Sequence, residues 1–240
     1  MDNRYYFEKI NPDNSVYIEG QEFAHLVKVR RGQVGDEIHA ICLDGFDYIL
    51  SITKIEKNKA ICRIDGKEKN PSMIRPDITV YLASIKQEAL KEALDSLTQL
   101  NAKEIAVFQS EYSNAKYSNE KTDKLKNNFI QYAKQCERAD IPNLRFINFN
   151  DMIEELKTKD LNIFAYENAN ENFLSLKLEN YKNKTISLIV GGEGGFSEKE
   201  VNLLDLCSKR VSMGKTILRA PVAVSCMFAC VSSLLGVWER

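Results

Sequence analysis

The stretch Ile186-Ser-Leu-Ile-Val-Gly-Gly-Glu-Gly-Gly-Phe-Ser-Glu-Lys-Glu200 decides the fold, because a strand pattern gives way to a helix pattern within it. Thr185 to Val190 is apolar and rich in β-branched residues, which is typical of a strand buried on both faces. Glycines then flank Glu193 on both sides and let the backbone pass where side chains would clash. Ser197, with Glu200 three residues later, forms a capping box that begins a helix. This order predicts a ligand site at the carboxyl end of a sheet strand.

The residues of the loop limit the kinds of ligand that it can bind. It lacks the Gly-Lys-Ser/Thr ending of a phosphate-binding loop and the spacing of a dinucleotide fingerprint. Glu193 in its middle favours a cationic or neutral ligand over a phosphate. A tight strand-to-helix turn that binds no ligand explains this one loop equally well.

A second glycine turn decides between these interpretations. It lies in Val211-Ser-Met-Gly-Lys-Thr-Ile-Leu-Arg-Ala-Pro-Val-Ala223, just before a long apolar segment. Together the two turns resemble the cofactor-binding half of the SPOUT methyltransferases, and within them the bacterial family that methylates N3 of a uridine in small-subunit ribosomal RNA. That family's first loop reads Gly-Pro-Glu-Gly-Gly, and Gly192 replaces the proline here. Its Ile-Leu-Arg is followed by Thr-Glu-Thr-Ala, whereas this chain has Ala220-Pro-Val-Ala223.

Two further stretches carry the resemblance across nearly the whole chain. Ala133-Lys-Gln-Cys-Glu-Arg-Ala-Asp-Ile-Pro142 is similar to the family's Glu-Gln-Cys-Gly-Arg-x-x-x-Pro, with Glu137 in place of the glycine. Phe23 to Asp36 resembles its His-x-x-x-Val-Leu-Arg-x-x-x-Gly-Asp segment near the N-terminus.

The chain divides near Asn70 to Pro76, where two prolines in a polar stretch disfavour regular structure. We therefore predict domains at residues 1–72 and 73–240. Short alternating runs separated by turn signals make the first domain a small all-β barrel or sandwich. Alternating strands and helices make the second an α/β domain with a parallel sheet. The resemblance implies that the barrel is a PUA-like RNA-binding domain and that the second domain carries a deep trefoil knot of the SPOUT type. The expected strands are 15–18, 37–43, 48–55, 60–64, 78–84, 104–108 and 161–166, and the expected helices are 86–99, 120–136 and 222–238.

The resemblance also implies that S-adenosylmethionine is the cofactor. Glycines in the two turns permit close approach of its adenine and ribose to the backbone. Apolar neighbours form the walls of the adenine pocket, and the end of another strand supplies a third loop. Any single apolar member of the set could instead belong to the core. The predicted cofactor-binding residues are Tyr166, Glu167, Ile189, Val190, Gly191, Gly192, Gly194, Gly195, Met213, Gly214, Ile217 and Leu218.

Two residues are predicted to be catalytic. Arg219 could stabilise negative charge on the uracil carbonyl oxygens by forked hydrogen bonds, hold a phosphate, or brace the knot by pairing with a carboxylate. Glu193 could accept the N3 proton, which burial would favour by raising its pKa, or balance the sulfonium charge.

Basic residues of the first domain are the predicted RNA contacts, because phosphate contacts position RNA without reading its sequence. On an extended strand, His25 and Arg31 would share one face while Lys28 and Arg30 share the other. A solvated charged edge is the ordinary alternative. Arg138 is a further candidate for RNA contact or for bracing a dimer. The full set is Arg4, His25, Lys28, Arg30, Arg31 and Arg138.

Composition is that of a packed globular chain, and a net charge of -1 gives it no general attraction for nucleic acid. Six cysteines without a Cys-x-x-Cys pair lead us to expect no metal site, and Cys226 and Cys230 to be small buried residues. Met1 to Arg4 precedes no apolar segment of a signal peptide, so we expect a cytoplasmic protein. We expect Val222 to Trp238 to be buried in protein and not in a membrane. By analogy, this helix contributes to a homodimer.

Three functions compete at this point. The first is methylation of N3 of a uridine in small-subunit (16S) ribosomal RNA, with that RNA or the small ribosomal subunit as partner. The second is a SPOUT methyltransferase that acts on a different RNA nucleotide. The third is a non-catalytic RNA-binding protein of the same fold.

Overall fold

The computed structural model of this protein describes residues 4–113, 115–117 and 122–238. The chain forms two compact units, Met1–Ile74 with Ile130–Ile141, and Arg75–Phe129 with Pro142–Arg240. The first break falls two residues from the predicted one. The segment 130–141, predicted in the second domain, belongs instead to the first unit, where Lys134 pairs with Glu22 at 2.6 Å and the Gly45 N–H donates to the Ala139 carbonyl at 3.0 Å.

The first unit is built on a curled five-stranded sheet with the order β1-β3-β4-β5-β2. Alternation of buried and exposed residues along these strands puts one face into a closed apolar core that includes Phe7, Tyr48 and Leu50. The strands are β1 Tyr5–Tyr6, β2 Ser15–Glu19, β3 Glu37–Ile41, β4 Phe46–Ile55 and β5 Lys59–Lys69.

The segment predicted as a strand around His25 is helical. Helix α1, Gly20–Ala24, continues into a π-helical turn at His25–Val29, in which the Arg30 N–H donates to the His25 carbonyl at 3.1 Å. The strand-based assignment of His25, Lys28, Arg30 and Arg31 to alternate faces is therefore wrong. Burial of Leu26, which packs on Gly32, outweighs the β preference of the two nearby valines.

The second unit contains a six-stranded sheet in the order β11-β9-β10-β6-β7-β8, and every neighbouring pair is parallel. The predicted α/β class is confirmed. Every residue of the central strands β6 and β10 is buried, as their apolar sequences require. The strands are β6 Ile78–Ala83, β7 Glu104–Gln109, β8 Asn143–Asn148, β9 Leu161–Ala165, β10 Ile186–Val190 and β11 Lys209–Val211.

The sequence patterns did not predict strand β8 or the helix that follows it at once. That helix begins at an Asn148 cap, whose side chain accepts from the Asp151 N–H at 2.8 Å. The predicted helix start at Glu120 lies outside the described residues. The helices after α1 are α2 Gln87–Gln99, α3 Thr122–Gln135, α4 Phe149–Leu156, α5 Glu198–Asp205 and α6 Ala220–Leu234.

Helix α6 is apolar on all sides but buried on only one. Val224, Met227 and Phe228 are buried within the second unit, whereas Cys226 and Cys230 are exposed on the other face. The prediction that both cysteines are buried is therefore wrong, because residues four apart on a helix share one face and this face points away from the sheet. Among the described residues, no helix is long and apolar enough to cross a membrane.

Candidate active site

Three neighbouring strands of the second unit, β11, β9 and β10, end at the same edge of the sheet because they are parallel. The loop after each of them therefore meets the other two at this edge. The Tyr166 N–H donates to the Val211 carbonyl at 3.0 Å, and the Ser212 N–H donates to the Glu171 carbonyl at 2.7 Å. These bonds join the loop after β9 to the loop after β11.

The loop after β10 is a tight turn held by its own backbone. The Gly195 N–H donates to the Gly192 carbonyl at 3.1 Å, and Gly195 has a φ of 67°, which suits glycine. A side chain at Gly194 would bring its Cβ within 2.8 Å of the Cβ of Tyr112, so glycine is needed there for close approach. The sequence motif thus encodes a turn that presents main-chain atoms to a ligand.

Phe196 fixes the far end of this turn. Its ring stacks on Phe108 at 6.3 Å between centroids and meets Phe164 edge-on at 6.1 Å. The next residue begins helix α5 with the predicted capping box. The Glu200 N–H donates to the Ser197 hydroxyl and the Ser197 N–H donates to the Glu200 carboxylate at 2.9 Å, so that prediction is confirmed.

The loop after β11 is exposed and turns at a glycine. Gly214 has a φ of 111°, and no heavy atom lies within 4 Å of the position of a built Cβ. The Gly214 N–H donates to the Ser212 hydroxyl at 3.3 Å. Further along this loop Ile217 has 89% of its surface exposed, an unusual state for an isoleucine that is not covered by a ligand or partner.

The three loops enclose a cavity of about 670 Å³, within the range of small-molecule sites. Of the predicted cofactor-binding residues, only Ile189 does not line it, because the side chain of Ile189 is buried in the core under the sheet. The structure brings the other eleven together: Tyr166, Glu167, Val190, Gly191, Gly192, Gly194, Gly195, Met213, Gly214, Ile217 and Leu218.

One wall of the cavity was not foreseen from the sequence. It is formed by Ile85, Lys86, Glu88 and Ala89, at the end of β6 and the start of α2. These residues follow a strand that pairs with β10, and the pairing of strands distant in sequence is not visible in residue patterns. Phe196, the residue that follows the glycine turn, also lines the cavity.

Both predicted catalytic residues line the cavity. The Glu193 carboxylate is exposed and accepts from the Lys86 N–H at 3.3 Å, at the start of α2. The burial that would favour a proton-accepting role is therefore absent, and the carboxylate lies at the N-terminal end of α2, where the helix dipole is positive. Arg219 immediately precedes α6, and its guanidinium lies 3.4 Å from Glu92 on an exposed surface.

Three carboxylates and two cationic side chains, Lys86 and Arg219, line the cavity, so negative charge is in slight excess. Glu167, Glu88 and Glu193 all line the cavity. Burial raises the pKa of Tyr117, whose hydroxyl donates to the Ile85 carbonyl at 2.8 Å, and the negative charges of Glu193 and Glu88 raise it further. Such a field stabilises a positively charged ligand. Within the described ranges, no group of three or more histidine, cysteine or acidic side chains could hold a metal ion.

The basic residues of the first unit fall into two sets. Lys28, Arg30 and Arg31 are exposed together on and just after the π-helical turn, as an RNA-binding surface requires. His25 is half-buried there, with its ring 6.0 Å from that of Tyr5.

Two of the predicted RNA contacts are engaged inside the protein. Arg138 is 2% exposed and its guanidinium binds Asp140 at 3.0 Å, so the prediction that it contacts RNA or braces a dimer is wrong. Arg4 pairs with Asp47 at 2.8 Å and donates to the Glu137 carbonyl at 2.7 Å, with its side chain 15% exposed. Removing either group from its partner would leave a carboxylate without its counter-charge.

The fold and site define a class of protein: an α/β protein that binds a small molecule through loops at the carboxyl ends of parallel strands, joined to a small β domain. A model of the RNA methyltransferase domain matches residues 73–232, and a model of the RNA methyltransferase PUA domain matches residues 18–65. The chain therefore belongs to the RNA methyltransferase family, as the sequence resemblance predicted.

Relatives and solved structures agree. Ribosomal RNA small subunit methyltransferase E of Rickettsia conorii is 29% identical over 240 residues, covering 98% of this chain and 96% of that protein. Its namesake from Bacillus subtilis is 26% identical and covers 92% of each chain. The structure of the Neisseria gonorrhoeae enzyme of that name, bound to S-adenosyl methionine, has a TM-score of 0.81 at 20% identity, covers 98% of each chain, and shows the shared fold.

Proposed function

We propose that this protein transfers a methyl group from S-adenosylmethionine to N3 of a uridine in small-subunit ribosomal RNA. The observation that carries the proposal is the cavity at the ends of β9, β10 and β11, which combines glycine backbone, apolar walls and carboxylates. The relatives that this chain matches over nearly their full length are named ribosomal RNA small subunit methyltransferases.

The residues of the cavity fit this methyl donor. When bound, S-adenosylmethionine supplies an activated methyl on a positively charged sulfonium. Glu167 and Glu193 balance positive charge, the Gly191–Gly195 turn and Gly214 offer main-chain atoms, and Met213 and Leu218 supply apolar surface. Threading of this region through a trefoil knot stays a prediction of the family resemblance.

The acceptor requires control of a proton and of a developing negative charge. A uridine must lose its N3 proton before or during attack, and the charge then spreads onto the uracil carbonyl oxygens. Arg219 stands at the cavity rim with an exposed guanidinium, and we assign it the role of stabilising that charge by forked hydrogen bonds. Glu193, held by the N-terminus of α2, balances the donor's charge in this proposal.

The experiment is methyl transfer from radiolabelled S-adenosylmethionine to small-subunit ribosomal RNA, with nucleosides identified by mass spectrometry. Arg219→Ala should lower kcat by about 100-fold and leave the Kd of the donor unchanged, because one preorganised charge-stabilising group contributes roughly that much. Arg219→Lys should recover only part of the loss, since lysine keeps the charge without the fork.

Lys184→Ala is the control. Lys184 precedes β10 and pairs with Asp160, so it lies at the opposite end of that strand from the cavity. Turnover by Arg219→Ala at the wild-type rate would contradict the charge-stabilising role.

The apolar wall at the start of α6 favours a second candidate, a methyltransferase for a different RNA nucleotide. Ala220 and Pro221 line the cavity where the related family carries a hydroxyl and a carboxylate. The same mass-spectrometric assay separates the two functions, because the second would yield a methylated nucleoside other than N3-methyluridine.

We also propose that the protein is a cytoplasmic homodimer. The exposed face of α6 carries Val222, Cys226 and Cys230, a strip of apolar and thiol side chains whose exposure to water is unfavourable. A second copy docked on this strip would bury it. Sedimentation as a monomer at micromolar concentration would contradict the dimer.

A further inference from the structure

One exposed aromatic side chain, that of Tyr112, lies next to the glycine turn and is not part of the cavity lining. Tyr112 follows strand β7, and 51% of its surface is exposed. Its Cβ and Cγ lie against Gly194, so closely that a Cβ on that glycine would sit 2.8 Å from the tyrosine Cβ. The tyrosine therefore borders the loop that lines the cavity.

The backbone that carries Tyr112 is fixed on both sides. The Glu111 N–H donates to the Glu200 carboxylate at 2.8 Å, which connects this segment to the first turn of α5. The Ser113 N–H donates to the Ser110 carbonyl at 3.1 Å, and the Ser110 N–H donates to the Ser113 hydroxyl at 3.1 Å. The backbone on both sides of Tyr112 is thus held by hydrogen bonds, while the tyrosine itself is exposed.

An exposed ring on a fixed backbone is suited to stacking. Among the described residues, no aromatic side chain packs against the ring of Tyr112. Proteins recognise unpaired RNA bases in this way, by stacking them on exposed aromatic side chains.

The reaction needs such a surface. N3 of uridine lies on the edge of the base that pairs in a helix, so an enzyme reaches it only when the base is unpaired or turned out of its stack. A base held out of its helix loses its stacking partners, and a ring beside the active site can replace one of them.

We propose that Tyr112 forms the stacking surface for the acceptor base, or for the base next to it, in single-stranded RNA. This assignment rests on the proposed function, because it concerns the same site. It makes Tyr112 a substrate-binding residue that takes no part in donor binding.

Two substitutions separate stacking from simple packing. Tyr112→Leu keeps a Cβ and Cγ against Gly194 and removes the ring, whereas Tyr112→Phe keeps the ring. Leucine should lower kcat/KM for RNA by about 5- to 150-fold, which corresponds to about 1–3 kcal/mol for a stacked base. Phenylalanine should stay within about twofold of wild type, and the Kd of S-adenosylmethionine should be unchanged in both.

Tyr181→Leu provides the matched control, since Tyr181 lies in a helical turn outside the cavity. It should leave kcat/KM for RNA unchanged. A Tyr112→Leu enzyme with the wild-type kcat/KM would overturn the stacking assignment and leave the proposed function intact.

A direct binding measurement keeps the two proposals distinguishable. Trp238 is the single tryptophan of the chain, so Tyr112→Trp in a Trp238→Phe background places the only indole at this position. A uridine-rich single-stranded RNA should quench its fluorescence. Quenching supports the stacking surface even if wild-type protein methylates no uridine, which would refute the proposed function alone. Fluorescence that RNA leaves unchanged would overturn the assignment.

Discussion

Substitution of Gly214 by alanine tests how the second loop shapes the donor site. Gly214 has a φ of 111°, which L residues rarely adopt, and a Cβ there would meet no heavy atom within 4 Å. The change therefore adds backbone strain without a clash. A residue forced into such a conformation costs about 1–3 kcal/mol.

The exposed loop, not the fold, will take up this strain. Gly214 and the three residues after it are all exposed, so the loop can relax to a conformation that alanine tolerates. Donor binding must then restore the original conformation at the cost of that strain. We expect the Kd of S-adenosylmethionine to rise about 5- to 150-fold, measured by isothermal titration calorimetry.

Gly35→Ala is the matched control. Gly35 has a φ of 97°, also has open space around a built Cβ, and belongs to the first unit. Gly35→Ala should lower the free energy of unfolding by about 1–3 kcal/mol, the cost of the same backbone strain, and leave the Kd of the donor unchanged. A folded Gly214→Ala protein with a donor Kd within twofold of wild type would refute the reasoning.

Two further predictions concern RNA binding and acid stability. Replacing Lys28 and Arg30 by glutamate should lower RNA affinity by more than about tenfold at 0.1 M salt, because two exposed phosphate contacts become repulsions. Donor affinity, measured in the same titrations, should stay unchanged. Unchanged RNA affinity would refute the assignment of these residues to an RNA-binding surface. Partial burial alone would raise the pKa of Glu155, but hydrogen bonds from Arg145 at 2.7 Å and Tyr81 at 2.8 Å outweigh it and lower that pKa. A lowered pKa stabilises the fold above the unfolded value of about 4.3 and loses this effect as pH falls through the folded value. Glu155→Gln should therefore lower the free energy of unfolding, measured by urea denaturation, by about 1 kcal/mol at pH 7 and by progressively less below about pH 5. A loss that is equal at pH 7 and below about pH 5 would contradict this reasoning.

Much of the second unit could be predicted because its signals are local. The run from Thr185 to Glu200 contains a buried strand, a glycine turn and a capping box within a few residues, and the structure shows all three. The turn at Gly214 and the position of Arg219 before α6 are encoded equally locally.

The wall formed by Ile85 and Lys86 could not be predicted, because it depends on the pairing of β6 with β10 across a long stretch of sequence. The same holds for Arg138, whose burial against Asp140 follows from packing of residues 130–141 into the first unit. Local propensity also failed at His25–Val29, where the buried Leu26 favours a helical turn over a strand.

The central claim is tested most directly by mapping modified nucleosides in small-subunit ribosomal RNA from a strain that lacks this protein. Mass spectrometry should show the loss of one N3-methyluridine, and its return when the wild-type protein, but not Arg219→Ala, is supplied. Retention of every N3-methyluridine in the deletion strain would contradict the account.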